Sequence, residues 1–162
     1  MLALVFATIF ATLSACANDG ARGNEVQWRN YSDALREGKE KQQLIVLDVY
    51  TDWCVWCKRM LRDVYGDKDV REYLEANFVV AKLNAESATL HDFEGTKATE
   101  REIASAYGIN GYPATVFFSE DGEPLIILPG YVEKDKFLNV LRYLNERAYL
   151  HQTWDDFLSS RQ

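Results

Sequence analysis

Trp53-Cys54-Val55-Trp56-Cys57-Lys58 brings two thiols close together where an apolar run, Leu44 to Tyr50, gives way to a helix-like pattern. Three chemistries use a Cys-x-x-Cys pair: half a zinc site, a structural crosslink, or a reversible dithiol–disulfide couple. A structural zinc site needs four ligands. Only Cys54 and Cys57 cluster, and His91 and His151 fall in separate, distant segments, so no metal site is expected. A structural crosslink over so small a loop removes little entropy from the unfolded chain. The redox couple has a positive physical basis. At a helix N-terminus, unpaired backbone N–H groups and the helix dipole favour a Cys54 thiolate, the attacking species in disulfide exchange. Cys57, one turn further in, is expected to face the core and to resolve the mixed disulfide from within. Trp53 is expected to cover the exposed Cys54 sulfur on one side, to pack into the core, or both.

The elements that must position this pair are readable around it. Leu44 to Tyr50 is apolar except for Asp48, the pattern of a strand buried on both faces. Cys57, Met60, Leu61 and Val64 share one helix face that ends near Gly66, and Val70, Tyr73 and Leu74 predict a further helical turn or two. Upstream, Val26-Gln27-Trp28 reads as a short edge strand. Asn30 caps a helix running to about Glu37, closed by Gly38. Phe78 to Leu83 is the next strand, residues 85–98 form a polar loop, and Thr99-x-x-Glu102 is a capping box before a helix that Gly108 stops. Ala114–Phe118 and Leu125–Leu128 are strands joined through Asp121-Gly122. Phe137, Val140, Leu141, Leu144 and Ala148 line a C-terminal helix. This order implies parallel crossovers followed by an antiparallel hairpin. The fold class is therefore α/β, with a mixed central sheet flanked by helices on both faces.

The chain has 162 residues, 48% of them hydrophobic, enough for one domain with a substantial core. The net charge is −7 and no basic stripe occurs, which excludes nucleic acid as a partner. Residues 1–15 carry no charge and the sequence turns polar directly after Cys16. The apolar stretch is shorter than the about 20 residues a spanning helix needs and fits an export signal. Leu13-Ser14-Ala15-Cys16 has the pattern of a bacterial lipobox, with Cys16 the lipidated first residue of the mature protein. Ala15-Cys16-Ala17 also permits ordinary cleavage. The expected organisation is a signal peptide over 1–16, a flexible tether over 17–25, one domain over 26–148 and an extension over 149–162. Trp154, Phe157 and Leu158 predict an added amphipathic turn in that extension.

The residues together resemble the thioredoxin-like superfamily. Trp53-Cys54-x-x-Cys57-Lys58 matches its active-site motif, and Asp48 stands where thioredoxins place a buried acid. Ala81-Lys82-Leu83-Asn84 matches the strand carrying the partner lysine, and Gly108 to Pro113 matches the segment leading to a cis-proline. The run from Leu47 to Lys58 is similar to the C-terminal thioredoxin-like domain of periplasmic DsbD-type reductases. The resemblance covers roughly residues 26–148. It implies that Asp48 takes a proton from Cys57 and returns it, with a carboxyl pKa raised by burial. It implies that Lys82 holds that pKa in range and that Pro113 is cis. The backbone at Tyr112 then pairs with an extended substrate strand beside Trp53. Val55-Trp56 departs from the Gly-Pro of ordinary thioredoxins, so their reduction potential does not transfer.

The expected function is extracytoplasmic reduction of protein disulfides by a monomer anchored to a membrane through Cys16. Nothing in the sequence binds a nicotinamide or flavin, so no cofactor is expected and electrons must come from a membrane reductase of the DsbD type. Two other readings use the same thiols. One is an oxidase or isomerase on the same fold, separated by its potential and its Cys54 pKa. The other is a non-catalytic copper-binding module with two soft ligands, which predicts bound metal and no disulfide turnover.

Overall fold

A computed structural model describes residues 25–161. The expected leader over 1–16, its lipidation site Cys16 and all but the end of the tether lie outside the described residues. Six strands and six α-helices follow in chain order: α1 (Tyr31–Lys41), β1 (Leu44–Tyr50), α2 (Val55–Met60), α3 (Lys68–Asn77), β2 (Phe78–Asn84), β3 (Leu90–Phe93), β4 (Thr96–Thr99), α4 (Glu100–Ala106), β5 (Ala114–Phe118), β6 (Pro124–Pro129), α5 (Lys134–Asn145) and α6 (Trp154–Ser159). A π-helical turn, Leu61–Tyr65, continues α2 without a break.

The main sheet has the order β2-β1-β5-β6. β1 and β2 are parallel, while β5 is antiparallel to both β1 and β6. Strand alternation sends successive β1 side chains to opposite layers. Ile45, Leu47 and Val49 pack under α1 and α4 with Tyr31, Ala34, Ile103 and Ala104. Leu44 and Val46 pack on the other side with Met60, Val64, Val70, Leu74, Phe137 and Leu141. Asp48 has the parity of Val46, so it points into the layer that holds α2.

Four local expectations change. α1 does not stop at Gly38: it runs to Lys41, and Gln42 ends it in the left-handed region at φ 54°. Gly38 is instead the point of closest approach to the sheet, where a Cβ would stand 2.6 Å from Ile45 Cδ1. Residues 85–98 are not a loop throughout, because β3 and β4 form a hairpin there. Glu94 and Gly95, both at positive φ, make its turn. The Val26–Trp28 segment forms no strand, and a single bridge joins Arg29 to Ala81 on the free edge of β2. Ala148 leaves α5 and sits in a short 3-10 turn.

Other local features follow directly from residue type. Asn30 Oδ1 accepts the Asp33 N–H at 2.9 Å and caps α1. Thr99 and Glu102 form the reciprocal capping box of α4. Gly108 turns the chain out of that helix at φ 70°.

Candidate active site

β1 ends at Tyr50, and the tight turn through Thr51, Asp52 and Trp53 delivers Cys54 as the N-cap of α2. Cys54 and Cys57 are joined by a disulfide. The Cys57 N–H donates to Cys54 Sγ at 3.0 Å, a bond of the kind that stabilises negative charge on sulfur. In this oxidised state both sulfurs are shielded. Cys54 is as buried as Cys57, at 3% and 6% exposure, where the spacing alone predicts an exposed Cys54.

The surface beside the disulfide is aromatic. Trp53 is largely exposed and meets Tyr112 edge to face at 6.1 Å. Its Nε1–H donates to Glu86 Oε1 at 2.9 Å. The Tyr112–Pro113 peptide is cis, and the Pro113 carbonyl accepts the Gly130 N–H at 2.8 Å. Trp56 is half exposed and lies 5.6 Å from Tyr131, with the Arg59 guanidinium 5.1 Å from one ring and 5.2 Å from the other. Cys54 thus lies in a chain segment whose flanking tryptophans pair with two different loops.

Behind the disulfide lies a charged layer. Asp48 pairs in register with Lys82 on β2 and Thr115 on β5. It is buried, and its Oδ1 accepts no hydrogen bond among the described residues. Burial pushes its carboxyl up to about 7, with the Lys82 charge and the Tyr65 hydroxyl opposing the rise. Tyr65, on the π-helical turn, also shares a 3.2 Å bond with Thr115 Oγ1. Lys82 is half-buried; desolvation lowers its pKa, and the charges of Asp48 and Glu25 act against that. A cavity of about 190 Å³ is lined by Asp48, Thr51, Cys57 and Lys82 together. The carboxyl and the inner sulfur therefore line one shared pocket.

A profile of the thioredoxin-like domain family matches residues 31–145. The chain belongs to this family. It is 31% identical over 134 residues to the thiol:disulfide interchange protein DsbD of Ralstonia nicotianae, covering 80% of this chain and 21% of that protein. Across the DsbD proteins it matches, the chain spans between 14% and 21% of their length. Among solved structures, a thioredoxin from Thermus thermophilus is similar at a TM-score of 0.60 and 28% identity, over 74% of this chain and 87% of that one. The oxidised C-terminal domain of Neisseria meningitidis DsbD shares the fold at a TM-score of 0.51 and 22% identity, over 74% and 99% of the two chains.

Every site residue singled out in the described sequence lies in or beside this centre. Glu86, Tyr131, Tyr65 and Thr115 also belong to its surroundings, although the sequence offers no local sign of them. They come from segments far along the chain, and only the fold brings them together.

Proposed function

We propose that this thioredoxin-like protein is a thiol–disulfide oxidoreductase working as a reductase of protein disulfides outside the cytoplasm. One observation carries the reading: a Cys-x-x-Cys pair opens a helix while a buried carboxyl, one of whose oxygens accepts no hydrogen bond among the described residues, shares a cavity with the inner sulfur. In the forward half-reaction the Cys54 thiolate attacks a substrate disulfide. The substrate S–S bond breaks, a Cys54–substrate bond forms, and the departing thiolate takes a proton. Cys57 then gives its proton to Asp48, and its sulfur attacks Cys54 Sγ. The second substrate thiol leaves and the Cys54–Cys57 disulfide remains, the state described above.

The other roles follow from position. Lys82 keeps the Asp48 carboxyl titrating near neutrality, where a proton carrier works best. Trp53, Tyr112 and cis-Pro113 form the face on which an extended substrate segment lies. Similarity to DsbD proteins supports a membrane reductase of that type as electron donor. The uncharged run before Cys16 supports export and anchoring through that residue. Among the described residues no helix is long and apolar enough to cross a membrane, so the reading places the membrane contact in the leader.

The deciding experiment is a Cys57→Ser variant expressed in intact cells. It should accumulate mixed disulfides through Cys54, and mass spectrometry names the clients and the donor. No trapped species under reducing flux would defeat the reading. A reduction potential near the about −120 mV of strong oxidants would reverse the proposed direction while leaving the exchange chemistry in place.

A further inference from the structure

Trp28 takes no part in thiol chemistry, yet its ring ends on Lys82. The Trp28 ring centre lies 4.6 Å from Lys82 Nζ and the Tyr50 ring centre 5.1 Å from it. The two rings arrive from different elements. Tyr50 closes β1, whereas Trp28 is carried by the segment that precedes α1. That segment is latched to β2 on both sides of Ala81. The Arg29 N–H donates to the Val80 carbonyl at 2.9 Å, and the Lys82 N–H donates to the Arg29 carbonyl at 3.1 Å. Trp28 is steadied by an edge-on contact with Tyr65 at 5.0 Å. Lys82 also stands between two spaces. One is the 190 Å³ cavity that reaches Asp48 and Cys57; the other, of about 470 Å³, is lined by Glu25, Trp28 and Tyr65.

A half-buried ammonium loses hydration, and the faces of two aromatic rings replace part of it. Lysine's flexible stem gives Nζ many other positions, including the larger cavity with Glu25 at its wall. We propose that Trp28 is a positioning residue: with Tyr50 it clamps the Lys82 ammonium beside Asp48, and so sets the pH at which Cys57 passes its proton to that carboxylate. The charged and titratable groups around the clamp are Glu25 on the leading segment, Asp48 and Tyr50 on β1, Asp52 in the turn, Lys58 and Arg62 on the facing helix, and Tyr65. Removing the Trp28 ring frees Lys82 to move toward Glu25. The Asp48 carboxylate then loses the cation that opposes its protonation and holds its proton to higher pH.

The consequence for exchange rests on the proposed function, but the clamp itself is measurable in the oxidised protein without substrate. The test is titration of the Asp48 carboxyl carbon by NMR in the full, oxidised chain. Trp28→Leu should raise the midpoint by roughly 0.5 pH or more, and Trp28→Phe, which keeps an aromatic face, should restore most of it. In a Lys82→Met background, Trp28→Leu should add nothing. An unmoved midpoint in Trp28→Leu, or an equal rise in the Lys82→Met background, overturns the clamp. Should Trp28→Leu not fold, Tyr50→Leu removes the other ring, and the same two outcomes decide. A shifted Asp48 in a protein that turns over no disulfide overturns the proposed function and leaves the clamp. Normal turnover with an unmoved midpoint does the reverse.

Discussion

Asp48 is held protonated further up the pH scale in the folded chain than in the unfolded one. Unfolding returns its carboxyl to water, where an aspartate titrates near about 4, against about 7 in the fold. Between those values the folded protein keeps a proton that the unfolded chain has released. Stability therefore falls as pH rises through the window from about 4 to about 7, and levels off above it, where both states are ionised. The full difference corresponds to roughly 4 kcal/mol as an upper bound. Asp48→Asn removes this dependence, because an amide does not titrate. Urea unfolding of the oxidised protein at pH 5 and pH 8 measures it. The wild-type chain should lose stability between the two, while Asp48→Asn should be nearly level and the more stable of the pair at pH 8. Parallel profiles for both proteins would mean that the carboxyl reaches water in the fold. The same residue that destabilises the alkaline protein is thus the one proposed to take the Cys57 proton, a local cost of the kind functional sites carry.

The element that best separates reading from structure is α1. A glycine closing a helix is expected at the position after it, at positive φ. Gly38 instead lies inside α1, where its missing side chain lets the helix settle on β1. An alanine there gains about 1 kcal/mol of helix propensity but drives a methyl into Ile45, which is 1% exposed and has little room to move. Overpacking of this kind costs about 1–3 kcal/mol, so Gly38→Ala should destabilise by up to about 2 kcal/mol net in a denaturant titration. A stabilising result would show that the close approach is loose. Elements that owe their form to local apolar spacing were legible from sequence: β1, α2, β2, β5 and α5 follow from the runs that predict them. The β3–β4 hairpin was not, because its one fully buried position, His91, is polar. His91 and Glu100 pair at 3.1 Å beneath it, and Glu100 also accepts the Asn84 N–H at 3.2 Å. No apolar alternation marks such a ribbon, and its turn uses Glu94-Gly95 rather than an Asn-Gly or Asp-Gly signal. The site divides the same way. The thiols announce themselves by spacing, whereas the meeting of Asp48 with Lys82 depends on strand register, and that of Lys82 with Trp28 on a single bridge at the edge of β2.

At the scale of the whole molecule, the C-terminal extension decides how large the cooperative unit is. Phe157 on α6 is buried, and Tyr143 of α5 lies 5.1 Å from its ring and 5.3 Å from that of Trp154. The Tyr143 hydroxyl donates to the Gln152 carbonyl at 2.8 Å, and Thr153 caps α6 by accepting the Asp156 N–H at 3.2 Å. α5 is amphipathic on its sheet side through Phe137, Leu141 and Leu144; α6 covers part of its other side with aromatic rings. A six-residue helix is far too short to hold its form alone, so its order depends on this packing. Phe157→Ala should therefore cost about 3 kcal/mol, the low end for a fully buried Phe, with tryptophan fluorescence and circular dichroism following one unfolding transition. Disulfide exchange at Cys54 should be unchanged, since neither α5 nor α6 supplies a residue to the cavity shared by Asp48 and Cys57. Two transitions, with the fluorescence change of Trp154 preceding loss of the sheet, would instead mark the extension as a separately melting appendage.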